Sequence, residues 1–324
     1  MSDLSVVMYH YVREIKNSSF PSIKGLEFNL FLEQIKYLKK HYQFLSIEEI
    51  IDSINNDTKL PSKSVLLTFD DGYKDHYKNV FPILHDFGLQ GSFYIPAKTV
   101  VNNQVLDVNK IHFIIASVED KKKLINEIKS LLKKYKVEFN LQDFDFYYKK
   151  LAVANRLDSG DIVFIKRILQ VELSEAVRMK MVDDLFIKYI GVSESEFAKE
   201  LYMSENEIKE MLNNGMHIGC HGYNHYWWNK LDNNELENEI DLSLKFLDEL
   251  GVNLNYWTAA YPYGSHSKEV EQLLNRKKCR LAFTTEVGIA NTSKTSNLVM
   301  KRLDTNDIPK SSVALVNDWF MKSL

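Results

Sequence analysis

The sequence predicts an α/β fold, a parallel sheet or barrel, interrupted by a helical insertion. Short β-rich runs alternate with helical apolar spacing over roughly the first hundred residues and again over roughly the last hundred and twenty, the pattern of strands and helices that builds parallel sheets. Between these stretches, over 102–204, Lys, Glu and Asp are dense, proline is absent, and Gly160 and Gly191 are the only glycines. That block reads as all-helical. Setting it aside leaves 1–101 and 205–324, roughly 221 residues, a plausible size for a slightly reduced β/α barrel when eight-stranded ones run to about 250.

Leu4 to Tyr9 is a compact strand. Phe31, Ile35 and Leu38 recur at helical spacing. Ser64 to Phe69 is a continuous apolar run of the kind that fills parallel sheets buried on both faces. His76 to Phe87 is helical and stops at Gly88, and Gly91 to Ile95 is the next strand. Within the insertion, Leu124, Ile128 and Leu131 mark a helix. Ser204 with Glu207 is a capping-box signature ahead of Ile208, Met211 and Leu212, and Asn214-Gly215 closes that helix. Met216 to Cys220 is a short strand. Asp232 with Glu235 opens a helix whose Leu236, Ile240, Leu244 and Leu247 share one side until Gly251 stops it. Tyr256 to Tyr261 and Leu281 to Thr285 are the next strands, and Lys301-Arg302-Leu303-Asp304 stands at the end of a late strand pattern.

Composition narrows the function classes. Hydrophobic residues make up 45% and charged residues 26% of the 324 positions, which excludes disorder, collagen and coiled coil. Lys plus Arg at 41 against Asp plus Glu at 44 leaves a formal charge of -3, so no global basic footprint points to nucleic acid or an anionic membrane. Two cysteines, Cys220 and Cys279, allow at most one bridge. The N-terminus lacks a basic segment followed by a long apolar one, and no run of about 18 apolar residues occurs. The expectation is a cytoplasmic protein without stable membrane insertion.

The strongest chemical signal is Thr68-Phe69-Asp70-Asp71-Gly72-Tyr73, at the carboxyl end of an apolar strand. Neighbouring side chains on a strand point to opposite faces, so the two carboxylates converge only if the strand ends there, which Gly72 permits. The alternative is a loop that caps the next helix. The second signal is His217-Ile218-Gly219-Cys220-His221-Gly222-Tyr223-Asn224-His225. The four-residue spacing of His221 and His225 puts both imidazoles on one side of a helical turn, where they can grip one ion. One carboxylate and two imidazoles, with a coordination position left open, is the pattern of a catalytic metal. Zinc is the default, while iron, cobalt and nickel suit the same donors.

These residues resemble a known family. Thr68-Phe69-Asp70-Asp71-Gly72, the His221 and His225 pair behind Ile218-Gly219, and Tyr261-Pro262-Tyr263-Gly264 are similar, in that order, to the first three motifs of the polysaccharide deacetylases, carbohydrate esterase family 4. The resemblance covers the barrel segments, about two thirds of the chain. It implies a distorted (β/α)7 barrel and a metal-dependent hydrolase that removes acetyl groups from N-acetylated sugars. Carried over by motif, Asp70 is the general base, Asp71, His221 and His225 hold the divalent metal, and Tyr263 offers its backbone N–H to the oxyanion.

The chain departs from the family pattern in two places. The usual late Leu-x-His motif that supplies the proton donor is absent, since the last histidine is His266. His10, at the carboxyl end of the first strand, is the candidate replacement. The arginine common before the proline of the third motif is replaced by Tyr261. Arg302 either takes over its orienting role or forms an ordinary surface ion pair. One of Trp227 and Trp228 is expected to line a sugar groove, Cys220 to be a small buried residue behind the site, and His217, His76, His85 and His112 to be structural. The expected substrate is an N-acetylated sugar or sugar-containing precursor in surface-glycan assembly. Deformylation or O-deacetylation on the same site, or an inactive carbohydrate-binding relative, are the rival readings. The insertion can cover the groove, limit acceptor size, or serve as the interface of a homo-oligomer.

Overall fold

In the computed structural model, which describes residues 2–155, 158–292 and 297–322, seven parallel strands follow one another around a closed ring in chain order. They are β1 (Asp3–Tyr9), β2 (Ser64–Asp70), β3 (Ser92–Ile95), β4 (His217–Cys220), β5 (Ala259–Ala260), β6 (Ala282–Val287) and β7 (Met300–Asp304). β1 pairs with β2 from Leu4↔Ser64 to Tyr9↔Phe69, and β7 returns to β1 through Val7↔Leu303. The fold is therefore the predicted (β/α)7 barrel. Because its strands are covered on both faces, they carry continuous apolar runs rather than alternation, and all seven residues of β2 are buried. Leu66 and its neighbours Val65 and Leu67 pack into different apolar clusters, as side chains of alternating direction must. The register between β6 and β7 slips between Met300 and Arg302, an irregularity of the kind that re-aims a side chain beside a site.

The chain divides into two compact units. One comprises 1–14, 25–104 and 198–324; the other comprises 15–24 and 105–197. The division differs from the sequence-based boundaries of 102–204 mainly in residues 15–24. Phe20 explains their allegiance, with its ring 4.9 Å from Phe113 and 6.1 Å from Phe197. The second unit is built from helices, among them Asp107–Ser117, Lys121–Tyr135 and Glu175–Ile190. In Lys121–Tyr135 the buried residues are Leu124, Ile125, Ile128, Leu132 and Tyr135, so Leu132 rather than the expected Leu131 continues the stripe. Among the described residues of this unit, the buried lysine Lys110 is held by Asp183 at 2.7 Å and Glu194 at 3.0 Å.

Capping boxes form at Ser204/Glu207 and Asp232/Glu235, as predicted. Two elements differ from expectation. The helix read over His76 to Phe87 is a π-type turn, His76–Val80, leading into an α-helix, Phe81–Asp86. Of the strand read over Tyr256 to Tyr261, only Ala259–Ala260 pairs, because Leu254–Tyr256 forms a 3-10 turn capped by Asn253. Cys220 and Cys279 are both buried and free. No helix among the described residues is long and apolar enough to cross a membrane.

Candidate active and metal site

Asp70 is the last residue of β2, and the backbone then turns left-handed at Asp71 (φ +72°) and Gly72 (φ +67°). A side chain at Gly72 would meet Ile95 Cγ2 at 3.0 Å. The turn breaks the strand alternation and lets consecutive carboxylates face one site, at a backbone cost at Asp71 of about 1–3 kcal/mol. Asp71 Oδ1 lies 3.4 Å from His221 Nε2 and 3.5 Å from His225 Nε2, and the three ligand atoms fall within 4.8 Å of one another. Nitrogen and oxygen donors about 2.0–2.2 Å from a common tetrahedral centre stand about 3.3–3.6 Å apart, so this set fits one divalent ion. His221 Nδ1 donates to the Ala260 carbonyl at 2.7 Å, so Nε2 is the ring nitrogen that faces Asp71. Tyr73 donates its hydroxyl hydrogen to Asp71 Oδ2 at 2.5 Å.

All three ligand side chains are buried. Burial pushes the Asp71 carboxyl up, but the hydrogen bond from His221 and the charges of His225, His10 and His221 outweigh it and hold the group well below the usual range. His221 is raised, because Asp70 and Asp71 overcome its desolvation. His225 is pushed down to about 3 by burial and by His221. His225 thus stays neutral at pH 7, the form in which histidine coordinates metals.

The histidine spacing works differently from the prediction. His221 and His225 do not sit on a helical turn; they belong to a loop in which Gly222 (φ +75°) and His225 (φ +63°) reverse the chain. Their rings meet edge to face at 4.7 Å.

Arg302 resolves the question left by Tyr261. It is not a surface residue: its side chain is fully buried and forks onto Asp70, Nη1 to Oδ1 at 2.9 Å and Nη2 to Oδ2 at 2.7 Å. Its Nε donates to the Thr284 carbonyl at 2.8 Å. Burial alone would raise the Asp70 carboxyl, but Arg302, His221 and His10 lower it below its ordinary value. His10 Nε2 stands 4.0 Å from Asp70 Oδ2 with its side chain 42% exposed, so it is open to solvent. Its backbone carbonyl accepts from Nε2 of the buried His76 at 2.8 Å.

Tyr263 has a left-handed backbone (φ +57°) in the turn Pro262–Gly264. Its ring lies 4.6 Å from His225 and is stacked on Trp227 at 4.4 Å and 3°. Trp228 is wholly buried against Tyr261 and belongs to the core, so Trp227 is the tryptophan that borders the site. His217 is tied to Thr258 Oγ1 at 2.8 Å, and Cys220 sits buried behind the histidine loop.

A family model described as polysaccharide deacetylase matches residues 57–138 and 186–282, more than half of the chain. The chain belongs to the polysaccharide deacetylase family. His10 and Arg302 lie outside both matched stretches, so the family pattern and the geometry point to different members of one site. The chain is 30% identical over 98 residues to YxkH of Bacillus subtilis (strain 168), provisionally named a polysaccharide deacetylase. It is 46% identical over 56 residues to the poly-beta-1,6-N-acetyl-D-glucosamine N-deacetylase of Escherichia coli (strain K12). These matches span 30% and 17% of this chain, but only 33% and 8% of the relatives' own lengths. Among solved structures it is similar in fold to the Streptococcus pyogenes deacetylase PplD in complex with acetate, at 19% identity and a TM-score of 0.57 over 95% of this chain and 96% of that one. IcaB from Ammonifex degensii has the same fold at 18% identity and a TM-score of 0.55, over 100% of this chain and 96% of that one.

Sequence reasoning does not single out two residues that touch this machinery, Tyr73 and Glu239. Tyr73 directly follows the Asp-Asp-Gly turn. Glu239 is visible as a carboxylate on the buried side of the helix Asn233–Leu250, beside Leu236, Ile240 and Ser243.

Proposed function

We propose that this chain is a metal-dependent de-N-acetylase that hydrolyses the acetamide of an N-acetylated sugar within a glycan or glycan precursor. The observation that carries the reading is the buried Asp71, His221 and His225 set with the ionised Asp70 beside it, held by Arg302. The donor set of one carboxylate and two imidazoles suits zinc best. A bound divalent cation would supply Lewis acidity, enough to polarise an amide carbonyl and to lower the pKa of a bound water to about 7.

Asp70 accepts the proton of the attacking water. Its bidentate contact with Arg302 keeps the carboxylate charged and its oxygens aimed. The Tyr263 backbone N–H stabilises the developing oxyanion, a preorganised donor worth roughly 3–4 kcal/mol. As the carbon–nitrogen bond breaks, His10 donates a proton to the departing sugar amine, and acetate and free amine are the products. Trp227 and Tyr263 present a stacked aromatic surface against which a pyranose face packs. The acetate in the PplD structure and the substrate in the name of the Escherichia coli relative support this reading.

The test is incubation of the purified protein with zinc or cobalt and a panel of N-acetylated sugars, oligomers and lipid- or nucleotide-linked precursors. Acetate should be released from at least one of them, and mass spectrometry of the product identifies the acyl group lost. Metal bound at one per chain with no acetate from any member would overturn the proposal.

A further inference from the structure

The two imidazoles of the site are held by different means. His221 has the outer-shell hydrogen bond usual for a ligand histidine, Nδ1 to the Ala260 carbonyl. His225 has none: its Nδ1 is buried and meets no hydrogen-bond partner among the described residues. Its ring is bordered by His221 and Tyr263, which limit its tilt, and its backbone sits at φ +63°, costly for a residue with a Cβ. Something must therefore fix the backbone.

That restraint is Glu239. Its carboxylate is buried, 2% exposed, and accepts from both neighbours of His225. The Asn224 backbone N–H reaches Oε1 at 2.6 Å and Asn224 Nδ2 reaches Oε2 at 2.9 Å; the Tyr226 backbone N–H donates to the same carboxylate. The approach is so close that a Cβ at Gly222 would lie 2.9 Å from Glu239 Oε1. The carboxylate is presented from the helix Asn233–Leu250, whose start is fixed by the Asp232 and Glu235 capping box, so a rigid element carries the clamp.

We infer that Glu239 is the positioning residue for His225, replacing the absent hydrogen bond to its second ring nitrogen by a grip on the peptides either side of it. The inference rests on the reading that Asp71, His221 and His225 take a divalent ion. It names a residue that touches neither ion nor substrate. Outer-shell partners of metal ligands change affinity by about 10–100-fold when removed, and Glu239 should behave as one although it acts through the main chain.

The experiment is titration of the metal-free full chain with cobalt, following the visible spectrum and the heat of binding, for the wild type, Glu239→Gln, and the pair Glu239→Gln with Asn224→Asp. Glu239→Gln removes the charge and one of the two acceptor oxygens that the Asn224 and Tyr226 donors share, and the dissociation constant should rise about 10–100-fold. In the double variant the glutamine amide donates to the carboxylate that Asn224→Asp introduces, so one contact is restored with its direction reversed, and affinity should return to within about threefold of wild type. A purely structural Glu239 would lower the melting temperature and leave the affinity unmoved. A folded Glu239→Gln that binds cobalt as wild type does overturns the inference. So does a folded double variant that binds cobalt more than about tenfold more weakly than wild type, which keeps the idea testable if the single variant does not fold. Failure of the wild type itself to bind cobalt at one per chain would instead sink the metal reading beneath it.

Discussion

Replacing Arg302 by Met removes the guanidinium while keeping a long apolar stem. In the native barrel both oxygens of Asp70 accept from Arg302, and the side chains of Asp70 and Arg302 are 2% and 0% exposed. An exposed pair would be worth about 0–1 kcal/mol. A buried pair broken from one side costs about 3–5 kcal/mol, because the stranded carboxylate has neither water nor counter-ion. Loss of the Nε donor to the Thr284 carbonyl adds about 1 kcal/mol. The barrel should therefore lose about 4–6 kcal/mol at pH 7, a large share of the 5–15 kcal/mol typical of a folded domain.

The pH dependence gives the effect a signature. In the native protein the Asp70 carboxyl is lowered, with Arg302 the leading opponent of burial. A depressed folded value contributes stability that is present above the unfolded value of about 4 and is lost as pH falls through the folded one. Without Arg302, burial dominates and the folded value rises above the unfolded one, so the variant gains relative stability on acidification. The gap between the two proteins should narrow as pH falls from about 7 to about 4. Urea unfolding of the metal-free proteins followed by tryptophan fluorescence measures it, since Trp227, Trp228, Trp257 and Trp319 all belong to the barrel unit. A loss below about 1 kcal/mol, or one that does not change across this pH range, would refute the argument.

Four further outcomes are expected. Asp70→Asn should cut acetate release by roughly 10²–10⁴-fold while metal stoichiometry stays at wild-type level; intact activity with metal bound would remove Asp70 from the role of base. His10→Asn should lower kcat on N-acetylated sugars by roughly 10²-fold yet hydrolyse an aryl acetate, whose leaving group needs no proton, at close to the wild-type rate. Tyr73→Phe deletes the donor to Asp71 Oδ2 and should weaken zinc binding by about 10–100-fold in a competition titration with a chromophoric chelator. Trp227→Ala removes half of the stacked pair with Tyr263; KM should rise by about 2–10-fold with kcat little changed, as the loss of about 0.5–1.5 kcal/mol of aromatic contact implies.

The parts of the site that could be read in advance are those whose partners lie close in the chain. Asp70, Asp71 and Gly72 are contiguous, and a strand end followed by glycine is a local event, so their convergence was predictable. The histidine pair was legible as a pair but not in its conformation. A four-residue spacing suits a helical turn, whereas Gly222 and the positive φ of His225 make a loop that Glu239 contacts from a distant helix. The role of Arg302 was legible only as one of two alternatives, because it meets Asp70 across 232 positions of sequence and the choice depends on closure of the ring between β7 and β1.

Local chemistry in the sequence thus determined the alternation of strands and helices, the capping of individual helices, and the donor types that gather at strand ends. Periodicity, turn residues and caps act over a few positions, and these can be read wherever they occur. Closure of seven strands decided which distant residues share the barrel end, so that a buried arginine faces Asp70 and a solvent-open His10 stands beside it. Tertiary packing also gave residues 15–24 to the helical unit, where Phe20 finds Phe113 and Phe197. Contacts of that kind carry no local signature, since two residues far apart in the chain acquire a common environment only after the main chain has closed around them.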